Sequence, residues 1–366
     1  VLKDAASTAA YGARGANGVI IIRTKTGKLN GGKSNVSFRY QHGIETQARQ
    51  YNYLNAREYL VLARRTWARG LDVFDINQKL YSAGNSATTP TYTQRGQYGN
   101  LDNLVAVEGQ AYVDGLLANG WETVEDPVNP GKTIIFKDSQ YQDVLWNTAQ
   151  TQNYNVAIDG GNERASYNVS LGYINQGGVF LGTDYKRFSG IGNVNFKVSE
   201  RFRLESNISY LWNDNKFLTS NQVQLTRSVR VPPLNRLYLD NGLPALGESV
   251  SVRNRLHELH YQDLNANNDQ TTFRLVGDLE LARGLHFRPS ASLHIVQNRF
   301  LFFERLFTGQ QRQRDKIQEL TQDKQFMTDQ ILQYDRTFGA KHNLTTLAGF
   351  NFTRQVNFNL RGTGQR

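Results

Sequence analysis

The chain has 366 residues, no cysteine and a formal net charge of +10, with 39% hydrophobic and 11% aromatic residues and a mean hydropathy of −0.55. Without cysteine there is no disulfide framework and no thiolate metal site, and without a run of eighteen apolar residues there is no membrane-spanning helix. A transmembrane β-barrel stays open, because its strands alternate and read as polar on average. Lys and Arg are scattered rather than blocked, so the basic balance does not point to nucleic acid.

The first residues, Val1-Leu2-Lys3-Asp4, carry no initiator Met and no secretory leader. An envelope protein needs such a leader, so an envelope reading expects sequence upstream. A small-residue segment leads to Gly12, Gly15 and Gly18, and then to the β-branched run Val19-Ile20-Ile21-Ile22. This predicts a helix or turn, a glycine-rich bend and a buried strand. Val36, Phe38 and Tyr40 alternate with Ser37 and Arg39 and predict a first half-polar strand. Asn55-Ala56-Arg57-Glu58 matches a capping box and predicts a helix to about Arg69 with Leu60, Ala63, Arg64 and Trp67 on one stripe. Residues 70–145 lack periodicity and read as loop. Loops of that length are uncommon in compact domains unless functional.

From residue 149 strands dominate. Tyr154, Val156 and Ile158 alternate up to a turn at Gly160-Gly161-Asn162, followed by Ala165, Tyr167, Val169, Leu171 and Tyr173. Val194, Phe196 and Val198 precede a turn at Ser199-Glu200, then come Phe202, Leu204, Ile208 and Tyr210. Residues 215–268 read as irregular. Phe273 to Leu281, a tight turn at Arg283-Gly284, Leu285 to Ile295, a strand near 322–340 and a last one through Leu347, Phe350 and Phe352 complete about nine or ten strands. Soluble antiparallel sheets alternate too. Strand length, short turns alternating with long loops, and aromatics near strand ends favour a membrane barrel.

Several motifs carry no chemistry. Gly12, Gly15 and Gly18 have the wrong spacing for a dinucleotide fingerprint, and a strand follows where a helix is required. His257 and His260 lack a third ligand. No nucleophile elbow is present, and no catalytic or metal-ligating set is assigned. Asn35, Asn168, Asn207, Asn343 and Asn351 begin Asn-x-Ser/Thr triplets, as expected by chance in Asn- and Ser-rich strands.

Residues 1–28 resemble the closing plug segment of SusC/RagA-type TonB-dependent outer-membrane transporters. The matching positions are Val1 to Ala5, Tyr11-Gly12-Ala13-Arg14-Gly15-Ala16-Asn17-Gly18-Val19-Ile20, Ile22, Thr24-Lys25 and Gly27. Leu54 to Tyr59, Gly160 to Glu163, Ser170 to Tyr173 and Gly182 to Tyr185 are similar to the same family, a likeness that weakens beyond about residue 214. It implies an all-β fold: a large antiparallel transmembrane barrel of about 22 strands, with residues 1–28 closing the plug and 29–366 forming an incomplete N-terminal part of the barrel. It also implies nutrient import across the outer membrane of a Gram-negative bacterium without an enzymatic step or cofactor. The implied partners are a SusD-like surface lipoprotein, TonB with ExbB/ExbD through an N-terminal part outside this sequence, outer-membrane lipid, and an oligosaccharide or peptide cargo, with no nucleic acid.

In that reading Lys3, Asp4, Tyr11, Gly12, Arg14, Gly15, Asn17 and Gly18 form a structural or gating plug signature. Glycines permit positive φ and close backbone approach, and Arg14 is a candidate for an ion pair holding plug to wall. Loop aromatics, whose rings stack on sugars and peptide side chains, are the ligand candidates: Tyr92, Tyr98, Tyr112 and Trp121 in the first long segment, Tyr238 and Tyr261 in the second. A passive porin or structural barrel and a soluble β-sheet carbohydrate-binding protein are the competing classes.

Overall fold

The computed structural model describes residues 17–18, 32–48, 52–70, 98–139, 141–216, 231–239, 241–247, 253–307, 315–339 and 342–365. In chain order the elements are β1 (Ser34–Glu45), α1 (Ala56–Gly70), β2 (Tyr98–Asn100), α2 (Leu101–Glu108), α3 (Gln110–Ala118), β3 (Glu122–Glu125), β4 (Thr133–Phe136) and α4 (Tyr141–Leu145). Then follow β5 (Ala149–Gly161), β6 (Ala165–Gly177), β7 (Asp184–Ser199), β8 (Phe202–Lys216), α5 (Arg255–Tyr261), β9 (Gln262–Ala282), β10 (Leu285–Glu304), β11 (Asp315–Phe338) and β12 (His342–Gln365).

Nine strands make one antiparallel sheet in the order β1-β5-β6-β7-β8-β9-β10-β11-β12. Register and pleat divide it into two faces of opposite chemistry. One cross-strand row reads Val36, Ile158, Val169, Gly192, Ile208, Phe273, Leu293, Phe326 and Arg354. The row one residue away reads Asn35, Asp159, Asn168, Asn193, Asn207, Arg274, Ser292, Met327 and Thr353. Because side chains alternate with period two, the first row faces one side and the second the other. Alternation of this kind is the pattern of strands in membrane barrels, which face hydrocarbon on one side and water on the other.

The apolar band is bounded by aromatics. Toward one end stand Phe196, Phe202, Phe287 and Phe350. Toward the other runs the row Tyr40, Tyr154, Tyr173, Phe188 and Trp212, with the Tyr40 and Tyr154 rings 4.9 Å apart. From Phe202 to Trp212 on β8 the strand advances about 33 Å, or about 23 Å across a layer at a 45° tilt, matching the roughly 25 Å apolar height of membrane barrels. Strands of 20 to 24 residues in β10–β12 exceed the roughly ten needed to cross, so they project beyond the band.

The two ends of the sheet differ. At the turn end β5–β6, β7–β8, β9–β10 and β11–β12 are joined by short connections. In the first, the Asn162 side-chain oxygen accepts from the backbone N–H of Arg164 and Ala165, both at 2.9 Å. In the third, Gly284 has φ 78°, and a Cβ there would collide with the Asp335 carbonyl. At the loop end lie the long excursions from β1 to β5 and from β8 to β9.

Residues 98–139 and 141–145 correct the loop reading of 70–145. They build a small folded unit with α1 at the loop end. The strands β2-β4-β3 form a second sheet between two helical layers. On one side Ile134 and Phe136 pack with Ala56 and Leu60 of α1 and with Leu234. On the other, Ile135 packs with Leu104 of α2 and Val113 of α3. Strands of three or four residues and helices of eight or nine are too short to show a period in the sequence. α1 begins where the capping box places it: the Glu58 N–H donates to Asn55 Oδ1 at 2.9 Å, and the Asn55 N–H donates to Glu58 Oε2 at 3.2 Å. Arg64 on its buried stripe is fully enclosed and forms a two-pronged ion pair with Asp126.

Candidate functional site

Of the plug signature, Lys3, Asp4, Tyr11, Gly12, Arg14 and Gly15 lie outside the described residues, while Asn17 and Gly18 are described. Gly18 has φ 96°, the left-handed conformation that glycine adopts at least cost.

The loop aromatics fall in several places. Tyr92 lies outside the described residues. Tyr98 opens β2, its backbone paired to Phe136. Tyr112 sits on α3 with 39% of its surface exposed. Trp121 is drawn into the apolar cluster of Leu104, Val113 and Ile135. Tyr238 is 49% exposed and bridges Pro244. Tyr261 ends α5, its ring 4.5 Å from His257 and 5.4 Å from Phe307. The most open rings are therefore Tyr112 and Tyr238, while Trp121 and Tyr261 hold loops together.

Around Tyr261 a rim cluster joins three loop-end segments. Glu304, at the end of β10, pairs with Arg253 and accepts from Gln262 Nε2 at 2.9 Å. Arg255 donates to Glu258 at 3.1 Å and to the Leu181 carbonyl, in the β6–β7 connection, at 3.2 Å. The Arg253 guanidinium lies 5.3 Å from the Phe307 ring centre. His257 is buried under Phe307, its Nδ1 without a hydrogen-bond partner among the described residues. Burial, and then the Arg253 cation, push its pKa down to about 4. It is thus a neutral packing imidazole at pH 7. Among the described residues no group of three or more His, Asp or Glu is arranged to hold a metal ion.

Between this rim and the turn end, the polar face is an amide surface. Asn213, Asn268, Asn298, Thr321 and Asn359 form one cross-strand row over β8–β12. Asn268 donates to Asn298 at 2.5 Å, Gln270 donates to Asn268 at 3.0 Å, and Asn359 donates to Glu319 at 3.4 Å. A cavity of about 290 Å³ opens here between Asn213, Asn215, Asn298, Phe300, Glu319 and Thr321. A wider one of about 540 Å³ lies at the loop end among Glu45, Gln176, Phe180, Tyr185 and Lys216. Each primary amide presents two donors and an acceptor, which suits sugar hydroxyls and peptide groups alike. The signal for this wall is the recurrence of Asn at every second position, as in Asn153/Asn155, Asn193/Asn195, Asn213/Asn215 and Asn357/Asn359. Sequence reasoning followed the apolar half of the alternation and missed it. The triplet asparagines Asn168 and Asn207 belong to the same face, Asn207 donating to Asn193 at 2.6 Å.

No protein-family model matches the sequence. Two TonB-dependent receptors of Formosa agariphila are each 22% identical, over 98% and 97% of this chain and 30% and 29% of their own length. The TonB-dependent receptor SusC of Bacteroides thetaiotaomicron is 28% identical over 53% of this chain and 13% of its own. Among solved structures, the RagAB peptide transporter superposes with a TM-score of 0.72 at 19% identity, covering 99% of this chain and 39% of that one. The RagAB peptide importer in its open-open state gives 0.72 at 20%. The chain thus spans less than a third of the length of these curated relatives, and the two-faced sheet is the barrel wall of the RagAB fold. In both sequence and strand architecture the chain is thus similar to SusC/RagA-type TonB-dependent receptors.

Proposed function

We propose that the chain is the plug-closing segment (residues 1–28) and the first part of the barrel wall (29–366) of an importer in the outer membrane of a Gram-negative bacterium. The apolar face meets lipid, the amide face lines the lumen, the short turns face the periplasm and the loop-end unit faces outward. The observation that carries this reading is the register-locked opposition of an apolar band and a polar, asparagine-rich face over nine neighbouring strands. Lys3, Asp4, Tyr11, Gly12, Arg14, Gly15, Asn17 and Gly18 hold the plug against the wall. TonB with ExbB/ExbD supplies the pull through sequence outside this chain, and a SusD-like lipoprotein lids the loop end. The cargo is an oligosaccharide or a peptide. Amides recognise both without fixing them by charge, and Tyr92, Tyr98, Tyr112, Trp121, Tyr238 and Tyr261 are its aromatic contacts. The transporter itself breaks no bond in the cargo.

The test is uptake of labelled oligosaccharide and peptide pools by cells with and without the full-length gene. Uptake of one pool that needs the gene and stops on addition of a protonophore supports energised import. Gene-dependent uptake that continues in the protonophore indicates a passive porin and overturns the reading. No gene-dependent uptake, with the protein in the soluble fraction, indicates a soluble sheet protein.

A further inference from the structure

The lipid-facing band is breached in one region. Along β1 and β5–β8 its loop-end margin is the aromatic row Tyr40, Tyr154, Tyr173, Phe188 and Trp212, but over β9–β11 the same row continues as Asp269, Gln297 and Gln322. Just inside the margin on that face stand two cations. Lys324 is level with Val156, Leu171 and Tyr210, and lies opposite Ile295 and Val356. Arg354 is one row deeper, opposite Phe326 and level with Ile158, Ile208 and Leu293. Both are exposed, and neither makes an ion pair or hydrogen bond with a described residue. Two rows above Lys324, one row beyond the polar margin, Arg299 lies 3.1 Å from Asp269.

A cation facing hydrocarbon is unfavourable, increasingly so toward the mid-plane. Two on adjacent strands therefore need a counter-charge or a route to water. Their long apolar stems let both heads rise toward the loop end, where Arg299, Gln297 and Gln322 add further donors. The region then offers three cations, with the carboxylate of Asp269 beside Arg299 and that of Asp214 two strands away in the Arg299 row, arranged between the apolar side chains of Leu293, Ile295, Phe326 and Phe358. Guanidinium forks and ammonium groups are the side chains that recognise phosphate oxygens. The surrounding apolar residues suit acyl chains.

We propose that the outer face of β9–β12 binds the phosphorylated headgroup of a glycolipid in the outer leaflet, with Lys324 and Arg354 on the phosphate and Arg299, Gln297 and Gln322 around it. This rests on the membrane placement proposed above, which fractionation checks first: a full-length receptor absent from the membrane fraction would remove that placement, and the lipid site with it.

The test uses full-length receptor in phosphatidylcholine nanodiscs, titrated with diphosphoryl lipid A or with lipid A stripped of phosphate, and read by native mass spectrometry. The variants are Lys324→Met, Arg354→Met and the pair, which put apolar chains of similar length on an apolar face and so preserve assembly. Each lost cation is expected to weaken diphosphoryl lipid A about fivefold and the pair about 25-fold, and the stripped lipid to bind the wild type no better than diphosphoryl lipid A binds the double variant. Lys324→Arg retains binding. Equal binding of the stripped lipid, or unchanged binding by the double variant, overturns the proposal. So does loss of an oligomer with lipid binding intact, which would assign the cations to a protein partner.

Discussion

Removing the carboxylate of Asp126 would leave the Arg64 guanidinium enclosed in the loop-end unit without its counter-charge. Asp126 accepts from Arg64 Nε at 3.0 Å and from Arg64 Nη2, and also from the Val128 N–H at 3.0 Å and Asn129 Nδ2 at 2.9 Å. The Arg64 and Asp126 side chains are 0% and 4% exposed, so water cannot replace the lost acceptor. Breaking one side of a buried ion pair costs about 3–5 kcal/mol. Asp126→Ala is therefore expected to raise the opening probability of α1 and of β3–β4 by roughly 10² to 10³·⁵. The β9–β12 ladders should not follow, because the unit meets the long sheet at the distant β6–β7 connection, where Leu145 packs with Phe180. Hydrogen exchange of the full-length receptor in detergent measures this directly, comparing peptides from residues 56–70 and 122–136 with peptides from β9–β12. Adding Arg64→Met removes the stranded cation and is expected to recover most of the loss, because an apolar pair in the same space is often as stable as the ion pair. Unchanged exchange in α1 after Asp126→Ala would refute the buried pair as a determinant of the unit. Equal acceleration in β9–β12 would refute the independence of unit and wall.

Three further outcomes follow from single side chains. Ile208→Lys places a charge in the middle of the apolar band and is expected to cost about 2–4 kcal/mol of stability in the bilayer, whereas Ser209→Lys on the amide face is expected to cost little; urea unfolding in vesicles separates them, and equal effects would refute the assignment of faces. The folded-state pKa of His257, about 4, lies below its unfolded value near 6.5. The unfolded form therefore binds more protons between these values, so the rim keeps its full stability above pH 6.5 and loses about 2 kcal/mol by pH 5; proteolysis of the 253–261 segment should accelerate over that window in the wild type and not in His257→Phe. Asn55→Ala removes one half of the cap of α1 at a cost of about 1 kcal/mol, read as about fivefold faster exchange in its first turn with little change in β4.

The apolar half of the wall was legible in the sequence because a strand with lipid on one side and water on the other must alternate. Val156, Ile158, Val169, Leu171, Ile208 and Phe273 show that period without any neighbour being known. The cap of α1 was equally legible, since Asn55 and Glu58 act over one turn, and so was the turn at Arg283-Gly284, where a positive φ calls for glycine. These are local constraints, satisfied within a few residues, and they determine that the chain forms strands and where many of them turn.

What alternation cannot give is register between strands distant in the chain. Only the tertiary structure set β1 beside β5 across about a hundred intervening residues, and only that pairing aligned Asn35, Asn168, Asn193 and Asn207 into one polar surface. The unit of α1 to β4 was illegible for a related reason: its strands are too short for a period, and Ile134, Ile135 and Phe136 become a core only when helices cover both sides. The same holds for Lys324 and Arg354. In sequence they are two of 42 basic residues, and their exceptional position, on the apolar side of the wall at the level of isoleucines and valines, exists only once cross-strand hydrogen bonding has fixed what lies beside them.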